Sequence, residues 1–242
     1  MRTERVREGW GLREAFREDL DRYVFEQYGP HSGNVRLVGL RAGLMSQGMW
    51  ATAAYRLHYY VRHRFHSRLL CVLPHGFQRV VVALTGIDID PDAQIGPGLR
   101  IPHGGYIVIG PVRIGRNCEI FQGVTLGQSL STLRERDSGP GIPTLGDRVW
   151  VGPGAVVAGE VTVGDDASVG ANSLVVRDVP PGGVVLGVPA RLVSTAGSFA
   201  VIRYREKDSD DHRVAVVADA AAGLGQHNGH GPSADQLPSV GT

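Results

Sequence analysis

The sequence is poor in cysteine, and it lacks both a long apolar run and an excess of charge of one sign. Cys71 and Cys118 are too few for a disulfide framework and suit a reducing compartment. No apolar run approaches the roughly 18 residues of a membrane span, and Pro74 interrupts the nearest stretch, "LLCVLPHGF". The formal net charge of +1 gives no electrostatic basis for nucleic acid as the main partner.

The N-terminal residues also lack a feature, the apolar core of a secretory signal. "MRTERVREGWGLREAF" is charged throughout. We therefore expect a cytoplasmic protein with no integral membrane segment.

Residues 1–86 have the pattern of an α-helical region. "REAFREDLDRYVFEQYG" carries apolar residues at helical spacing and ends at Gly29-Pro30. "LRAGLMSQGMWATAAYRLHYYVRHRF" predicts a second helix, and "RLLCVLPHGFQRVVVAL" a third that Pro74 breaks or kinks.

After Gly86 the period changes to six residues. A six-residue repeat fits neither a helix nor simple strand alternation, but it fits a parallel β-helix whose aliphatic side chains all point inward. Glycine follows the aliphatic residue repeatedly, as in "IGPG", "VGPG" and "VGDD", and Gly, Asn or Asp suit the turns. Thirteen aliphatic residues share the phase, with one extra residue after the fourth and a longer interruption after the seventh: Ile89, Ile95, Ile101, Ile107, Ile114, Ile120, Leu126, Leu145, Val151, Val157, Val163, Val169 and Val175.

The repeat divides the chain into three regions. The helical region, 1–86, precedes a β-helix domain over 87–194. The off-period stretch 127–144 must leave the stack as an external loop, which predicts a functional or a disordered segment. Residues 195–242 lose the pattern and are low in bulky apolar residues, so we predict a disordered tail.

The repeat region resembles the serine O-acetyltransferase branch of the hexapeptide acyltransferases. The resemblance covers roughly residues 15–193 and rests on "AYRLHYYV", "GIDIDPDAQIGPGLRIPHGGYIVIG", "EIFQGVTLG" and the exit motif "GVPAR". It implies a left-handed parallel β-helix and a homotrimer, with a hexamer as the alternative. It also implies acetyl-CoA bound in the groove between subunits, under the external loop.

His103 is the candidate general base. Acetyl transfer to a hydroxyl requires a base, and His103 is the only histidine inside the repeat region. The resemblance assigns it that role and makes Asp88 the carboxylate that orients it. The two lie 15 residues apart, close to one coil of about 18 residues, so neighbouring coils could bring them together. The alternatives are a solvent-exposed turn histidine and a turn carboxylate like Asp90 and Asp92.

Four further positions match the coenzyme A groove of the family. Gly127 in "GVTLG" would face the thioester and pantetheine, and Pro153 and Ala171 fall where small residues line the groove. Arg191 would meet the phosphates. The alternative for each is plain β-helix packing, and Cys118 is expected in the interior.

A zinc site is not expected. Zinc enzymes of this fold need three histidines with an open fourth position, and the repeat region holds one.

The charged clamp that holds serine in the family is missing at the aligned positions. Pro102 replaces the acid before the histidine, Gly141, Ile142 and Pro143 replace "R-H-P", and Gly29 replaces the acid of "R-D-P". Buried charges need partners, so a zwitterion would bind poorly in such a pocket.

Two explanations remain for the missing clamp. The acceptor is a different hydroxyl compound, such as a sugar or a natural-product intermediate, or Arg134 and Arg136 of the loop rebuild the carboxylate site.

The leading hypothesis is a coenzyme A-dependent O-acetyltransferase whose acceptor is a small hydroxyl compound, such as a sugar or a natural-product intermediate. A serine O-acetyltransferase of cysteine biosynthesis is the alternative, and a non-catalytic β-helix scaffold is the second. "YYVRHRFHSRLL" also suggests a peripheral membrane protein, or else a helix that packs one face on the trimer and shows the other to water.

Overall fold

The computed structural model describes residues 11–28, 41, 43–65, 67, 69–128, 141–198 and 201–202. All of them fall in the first of two units into which the chain divides, Met1–Glu206 and Lys207–Thr242. The described part contains three long helices, one overlapping each predicted helical stretch: α1, Leu12–Tyr28; α2, Gln47–Phe65; and α3, Val72–Thr85.

Pro74 does not break the third helix. It lies in the first turn of α3, where a backbone N–H has no intrahelical partner to lose, and the helix continues to Thr85. The predicted break is therefore wrong. The helix ends at Gly86, which adopts the left-handed φ of 67° and donates its N–H to the carbonyl of Val82.

Short parallel strands form the three faces of a left-handed β-helix, as the repeat and its resemblance predict. The first face contains β1, Ile87–Ile89; β3, Ile107–Ile109; β6, Thr125–Gly127; β9, Val156–Ala158; and β12, Leu174–Val175. The second contains β2, Gln94–Ile95; β4, Arg113–Ile114; β7, Thr144–Leu145; and β10, Thr162–Val163. The third contains β5, Glu119–Ile120; β8, Trp150–Val151; β11, Ser168–Val169; β13, Val184–Leu186; and the antiparallel β14, Arg191–Ser194.

The core of the β-helix is the column of repeat aliphatics. All thirteen in-phase residues are at most 4% exposed, and Ile101, Ile107 and Ile120 are completely buried. Each coil stacks its aliphatic side chains on those of its neighbours, so every coil gains apolar burial from the next. The predicted hexapeptide register is confirmed.

A buried ion pair attaches the helices to the first coil. Asp19 of α1 accepts two hydrogen bonds from Arg56 of α2, at 2.9 and 3.2 Å. The same carboxylate accepts the backbone N–H groups of Gly98 and Leu99, and Arg56 also donates to the carbonyl of Gly96. The two helices therefore cover the open end of the β-helix and satisfy its backbone groups there.

The start of the predicted tail packs against the β-helix. Residues 195–198 and 201–202, at the start of the predicted tail, include a buried Ser198 whose hydroxyl donates to the carbonyl of Arg148 at 2.6 Å. Residues 203–242 lie outside the described residues.

In the part of the chain that is described, no helix is long and apolar enough to cross a membrane.

Candidate functional site

His103 lies in the turn that leads from the third face of the β-helix into β3. Its side chain is exposed, and its ring centroid is 6.2 Å from that of Phe121 in the next coil. Phe121 in turn lies 5.2 Å from Trp150, one coil further on. The imidazole is thus the first ring of a short aromatic column at the surface, open to a ligand.

Tyr23 of α1 holds the backbone that carries His103. Its hydroxyl accepts the N–H of Ile101 at 2.8 Å and donates to the carbonyl of the same residue at 3.2 Å. Tyr23 is 7% exposed, and burial raises the pKa of its hydroxyl above the ordinary value. The hydroxyl therefore stays protonated and satisfies both backbone groups two residues before the imidazole.

Close backbone packing fixes the same turn from the other side. Gly48 of α2 touches Ile101 and the Tyr23 hydroxyl so closely that a Cβ there would overlap both. Further along the turn, Gly105 donates its N–H to the carbonyl of Thr85 at 2.9 Å. The helices thus set the position of the His103 turn, because all three of them contact it or its neighbours.

Asp88 lies on the coil next to His103, but its carboxylate has a different partner. Its Oδ2 is 3.2 Å from a guanidinium nitrogen of Arg79 in α3, and both side chains are about half exposed. Among the described residues, His103 forms no hydrogen bond, so the two candidate catalytic side chains are adjacent in the stack without being joined.

Pro153 and Ala171 fall on the same corner of the β-helix as His103. The N–H of Gly123 bonds to Gly105, that of Gly154 to Gln122 and that of Asn172 to Pro153, at 2.8 to 2.9 Å. These bonds stack four successive turns into one column, which we call the His103 corner: residues 102–106, 121–123, 152–154 and 170–172. Two predicted coenzyme A positions therefore lie one above the other on the imidazole's side of the molecule.

Gly127 lies at a different corner, whereas Arg191 directly follows the turn 187–190, which stacks on residue 174 next to the His103 corner. Gly127 ends β6 and stacks on Gly159 at the corner between the first and second faces, whereas His103 precedes the first face. Among the residues that the structure describes, none would lie within 4 Å of a Cβ at Gly127, so the space beside it is open on their side. Arg191 is exposed at the start of β14. Within one chain the predicted coenzyme A residues are thus divided between two corners.

The positions of the missing serine clamp are apolar in the structure as well. Pro102 is half-buried beside His103, and Gly141 and Pro143 are buried where the chain re-enters β7. Arg134, Arg136 and Gly29 lie outside the described residues. No group of three or more His, Cys, Asp or Glu side chains in the described ranges is placed to hold a metal ion.

Comparison with known proteins identifies the family. Residues 143–177 match the family model for the bacterial transferase hexapeptide (six repeats). A serine acetyltransferase from Helicobacter pylori strain J99 is 39% identical over 152 residues, which are 62% of this chain and 84% of that protein. The chain belongs to the serine acetyltransferase family.

Two other comparisons show how far the similarity extends. A serine acetyltransferase from Synechococcus elongatus is 38% identical over 160 residues, 66% of this chain but only 62% of that protein. The crystal structure of the Brucella abortus serine acetyltransferase in complex with coenzyme A has a TM-score of 0.60 and 26% identity, and the match covers 74% of this chain and 66% of that one. The predicted acyltransferase class and acetyl-CoA donor are confirmed at the level of the serine acetyltransferase family.

Sequence reasoning missed the residues that position the His103 turn. Tyr23 lies on the apolar face of α1, where an aromatic residue predicts core packing, and nothing local indicates that its hydroxyl reaches residue 101. Tyr106 was also missed. It is 89% exposed and has a φ of 53°, which strains a residue with a bulky side chain.

Proposed function

We propose that the chain transfers an acetyl group from acetyl-CoA to the hydroxyl of a small acceptor, with His103 as general base and L-serine as the acceptor. The observation that carries this proposal is the exposed imidazole at the head of the His103 corner, held by Tyr23 and stacked above Pro153 and Ala171. The serine acceptor is supported by the names of the family relatives, since the enzymes from Helicobacter pylori and Synechococcus elongatus are both serine acetyltransferases.

The reaction needs one proton carrier. The acceptor hydroxyl attacks the thioester carbon while Nε2 or Nδ1 of His103 takes its proton, and the carbonyl oxygen becomes an oxyanion. The tetrahedral intermediate then expels the coenzyme A sulfur, which takes the proton back from the imidazolium. The exposure of His103 is consistent with this exchange.

A complete site requires a second copy of the chain. Gly127 and the His103 corner lie at different corners of one β-helix, so a ligand that touches both must lie between two molecules. A three-fold assembly places one corner of each copy against a different corner of the next and makes three equivalent grooves. We therefore include a homotrimer in the proposal.

A second candidate acceptor follows from the apolar clamp positions. Pro102, Gly141 and Pro143 offer no charge to a carboxylate or an ammonium group, which favours a hydroxyl compound without a zwitterion, such as a sugar or a natural-product intermediate. Arg134 and Arg136 would restore a carboxylate site and so favour L-serine. The choice between the acceptors is open to direct measurement.

The test is thiol release from acetyl-CoA by the purified protein with a panel of acceptors that includes L-serine and neutral sugars. His103→Ala should lower turnover about 10²–10⁴-fold, the usual contribution of a general base. Unchanged turnover in that variant would rule out His103 as the base. Absence of coenzyme A binding in calorimetry would favour the non-catalytic scaffold.

Two variants separate the possible roles of Asp88. Asp88→Asn removes the charge that faces both Arg79 and the neighbouring coil, whereas Arg79→Gln removes only the observed partner. If Asp88 orients His103 in the assembled enzyme, Asp88→Asn should lower turnover much more than Arg79→Gln. Equal effects of the two variants would assign Asp88 to the surface ion pair alone.

A further inference from the structure

The outer face of α3 is more apolar than its buried face. The buried positions are Pro74, Gln78, Val81 and Thr85, two of which are polar. The exposed positions form an apolar stripe with successive spacings of four, four, three and four residues, which runs from the turn before α3 along one side of the helix. The stripe consists of Leu69, Leu73, Phe77, Val80 and Leu84, which are 80%, 82%, 52%, 57% and 64% exposed.

The outer face of α2 is also partly apolar. Trp50, Leu57 and Tyr60 are each about 40% exposed, and their spacing places them on one face with Arg64. Arg64 lies over the ring of Phe65, with 5.7 Å between the guanidinium carbon and the ring centroid. Soluble monomers rarely leave an apolar surface of this extent in water, so the two faces need an occupant.

The charge of the same region narrows the choice of occupant. Residues 27–87 contain seven arginines and no aspartate or glutamate. Arg56, Arg62 and Arg79 are paired with carboxylates from outside this segment. Within the described ranges, the exposed Arg41 and Arg64 have no ion-pair partner.

A second copy of this surface is a poor occupant. A two-fold contact would place the same acid-free segment against itself, and its arginines would meet arginines without a carboxylate to pair them. An anionic lipid surface offers both things that the region lacks, namely an apolar phase for the stripe and negative charge for the arginines. At 14 residues α3 is too short to span a bilayer but suited to lying in its interface.

From these observations we propose that the outer faces of α2 and α3 dock on an anionic lipid membrane, with the apolar stripe in contact with the acyl chains and Arg64 near the headgroups. This goes beyond the proposed acetyl transfer and does not depend on it.

The experiment is flotation of the full chain with vesicles of phosphatidylcholine, with or without phosphatidylglycerol. We expect binding to the anionic vesicles, weaker by several-fold at high salt and on the neutral vesicles, because each arginine near the surface contributes about fivefold. Phe77→Ser/Val80→Ser should lower the binding about tenfold through lost apolar contact. The matched control is Leu192→Ser/Val193→Ser on β14, where the exposed fractions of 52% and 56% are close to the 52% and 57% of Phe77 and Val80.

Three results would overturn the proposal. The first is no binding, or equal binding to neutral and anionic vesicles. The second is an equal loss in the stripe variant and in the β14 control, which would mean that no particular face docks. The third is a smaller oligomer for Phe77→Ser/Val80→Ser by mass photometry without lipid, which would identify a second copy as the occupant.

Discussion

At the scale of single residues, the hydroxyl of Tyr23 does more for the candidate site than its size suggests. Tyr23→Phe keeps the ring but leaves the N–H and carbonyl of Ile101 without the partner seen here. We expect a loss of about 1–3 kcal/mol in the free energy of unfolding, the cost of unpaired buried groups. Denaturant unfolding measures it.

The same variant tests whether Tyr23 positions His103. A shifted turn should lower kcat while the KM for acetyl-CoA stays unchanged, because Pro153 and Ala171 are on coils that Tyr23 does not touch. If stability falls and kcat does not, Tyr23 supports the fold alone. Gln78→Leu, which removes a different buried hydrogen bond from a helix to the first coil, is the control for general destabilisation.

Cys118 provides a second prediction at this scale. It is completely buried, and burial raises the pKa of its thiol to about 12. Because the thiolate is the reactive form, iodoacetamide at pH 8 should modify the partly exposed Cys71 and leave Cys118 intact in the folded protein. Mass spectrometry of the digested protein checks this, and labelling of Cys118 at the rate of Cys71 would contradict it.

The raised pKa of the Cys118 thiol also determines how the stability of the fold depends on pH. The folded thiol keeps its proton while the unfolded thiol loses it from about pH 9 upward, so this group destabilises the fold as pH rises toward 12. Cys118→Ala removes that pH dependence.

At the scale of elements, the attachment of α1 and α2 to the first coil depends on Arg56. Arg56→Leu leaves the Asp19 carboxylate buried without its counter-ion, and we expect a loss of about 3–5 kcal/mol in unfolding free energy. Arg62→Leu is the control, since its pair with Asp92 is nearly half exposed and should contribute at most about 1 kcal/mol.

The deficit of Arg56→Leu should depend on pH in a defined direction. Burial raises the pKa of the Asp19 carboxyl, while Arg56 and the N–H groups of Leu99 and Gly98 oppose that rise. With Arg56 in place the pKa of Asp19 already lies above its ordinary value, and without Arg56 the folded state binds the proton more readily still. The deficit should therefore shrink as pH falls toward the ordinary aspartate value, about 4, and grow above it. A deficit independent of pH would mean that Asp19 is neutral in both proteins.

The elements were predictable to the extent that their causes are local. The six-residue phase of Ile89 to Val175 predicts every coil, because each aliphatic residue must face the axis. Pro74 misled, since a proline in the first turn of a helix has the same sequence signature as a helix breaker. The contacts of Tyr23 and Arg56 could not be read from the sequence, because they depend on how helices far apart in the chain settle on the first coil.

At the scale of the whole molecule, the division of the site between corners predicts complementation. His103→Ala removes the proposed base from one corner, and Gly127→Val fills space at another without a clash against the described residues. If each groove takes His103 from one copy and Gly127 from the next, oligomers refolded from an equal mixture should regain about one quarter of the wild-type activity. Recovery no greater than the sum of the separate variants would contradict a shared groove.

The site was less predictable than the fold, because it too depends on contacts between parts of the chain that are far apart in sequence. The repeat places His103, Pro153 and Ala171 on one corner, but it also separates Gly127 from them, and a sequence cannot show which corners meet in an assembly. Asp88 shows the limit most clearly. Its spacing from His103 is right for neighbouring coils, yet its carboxylate bonds to Arg79, a residue of the helical region.

The stacked turns of the His103 corner are evenly spaced along the axis of the β-helix. Each coil advances by the spacing of adjacent strands, about 4.8 Å, so Ala171 lies three coils, or about 14 Å, from the imidazole along the axis. If His103 is the base, an acyl donor that reacts there and also contacts Ala171 must span this distance. Deleting one coil between them would then shorten the distance by one strand spacing, so the number of coils would set the length of the donor that fits.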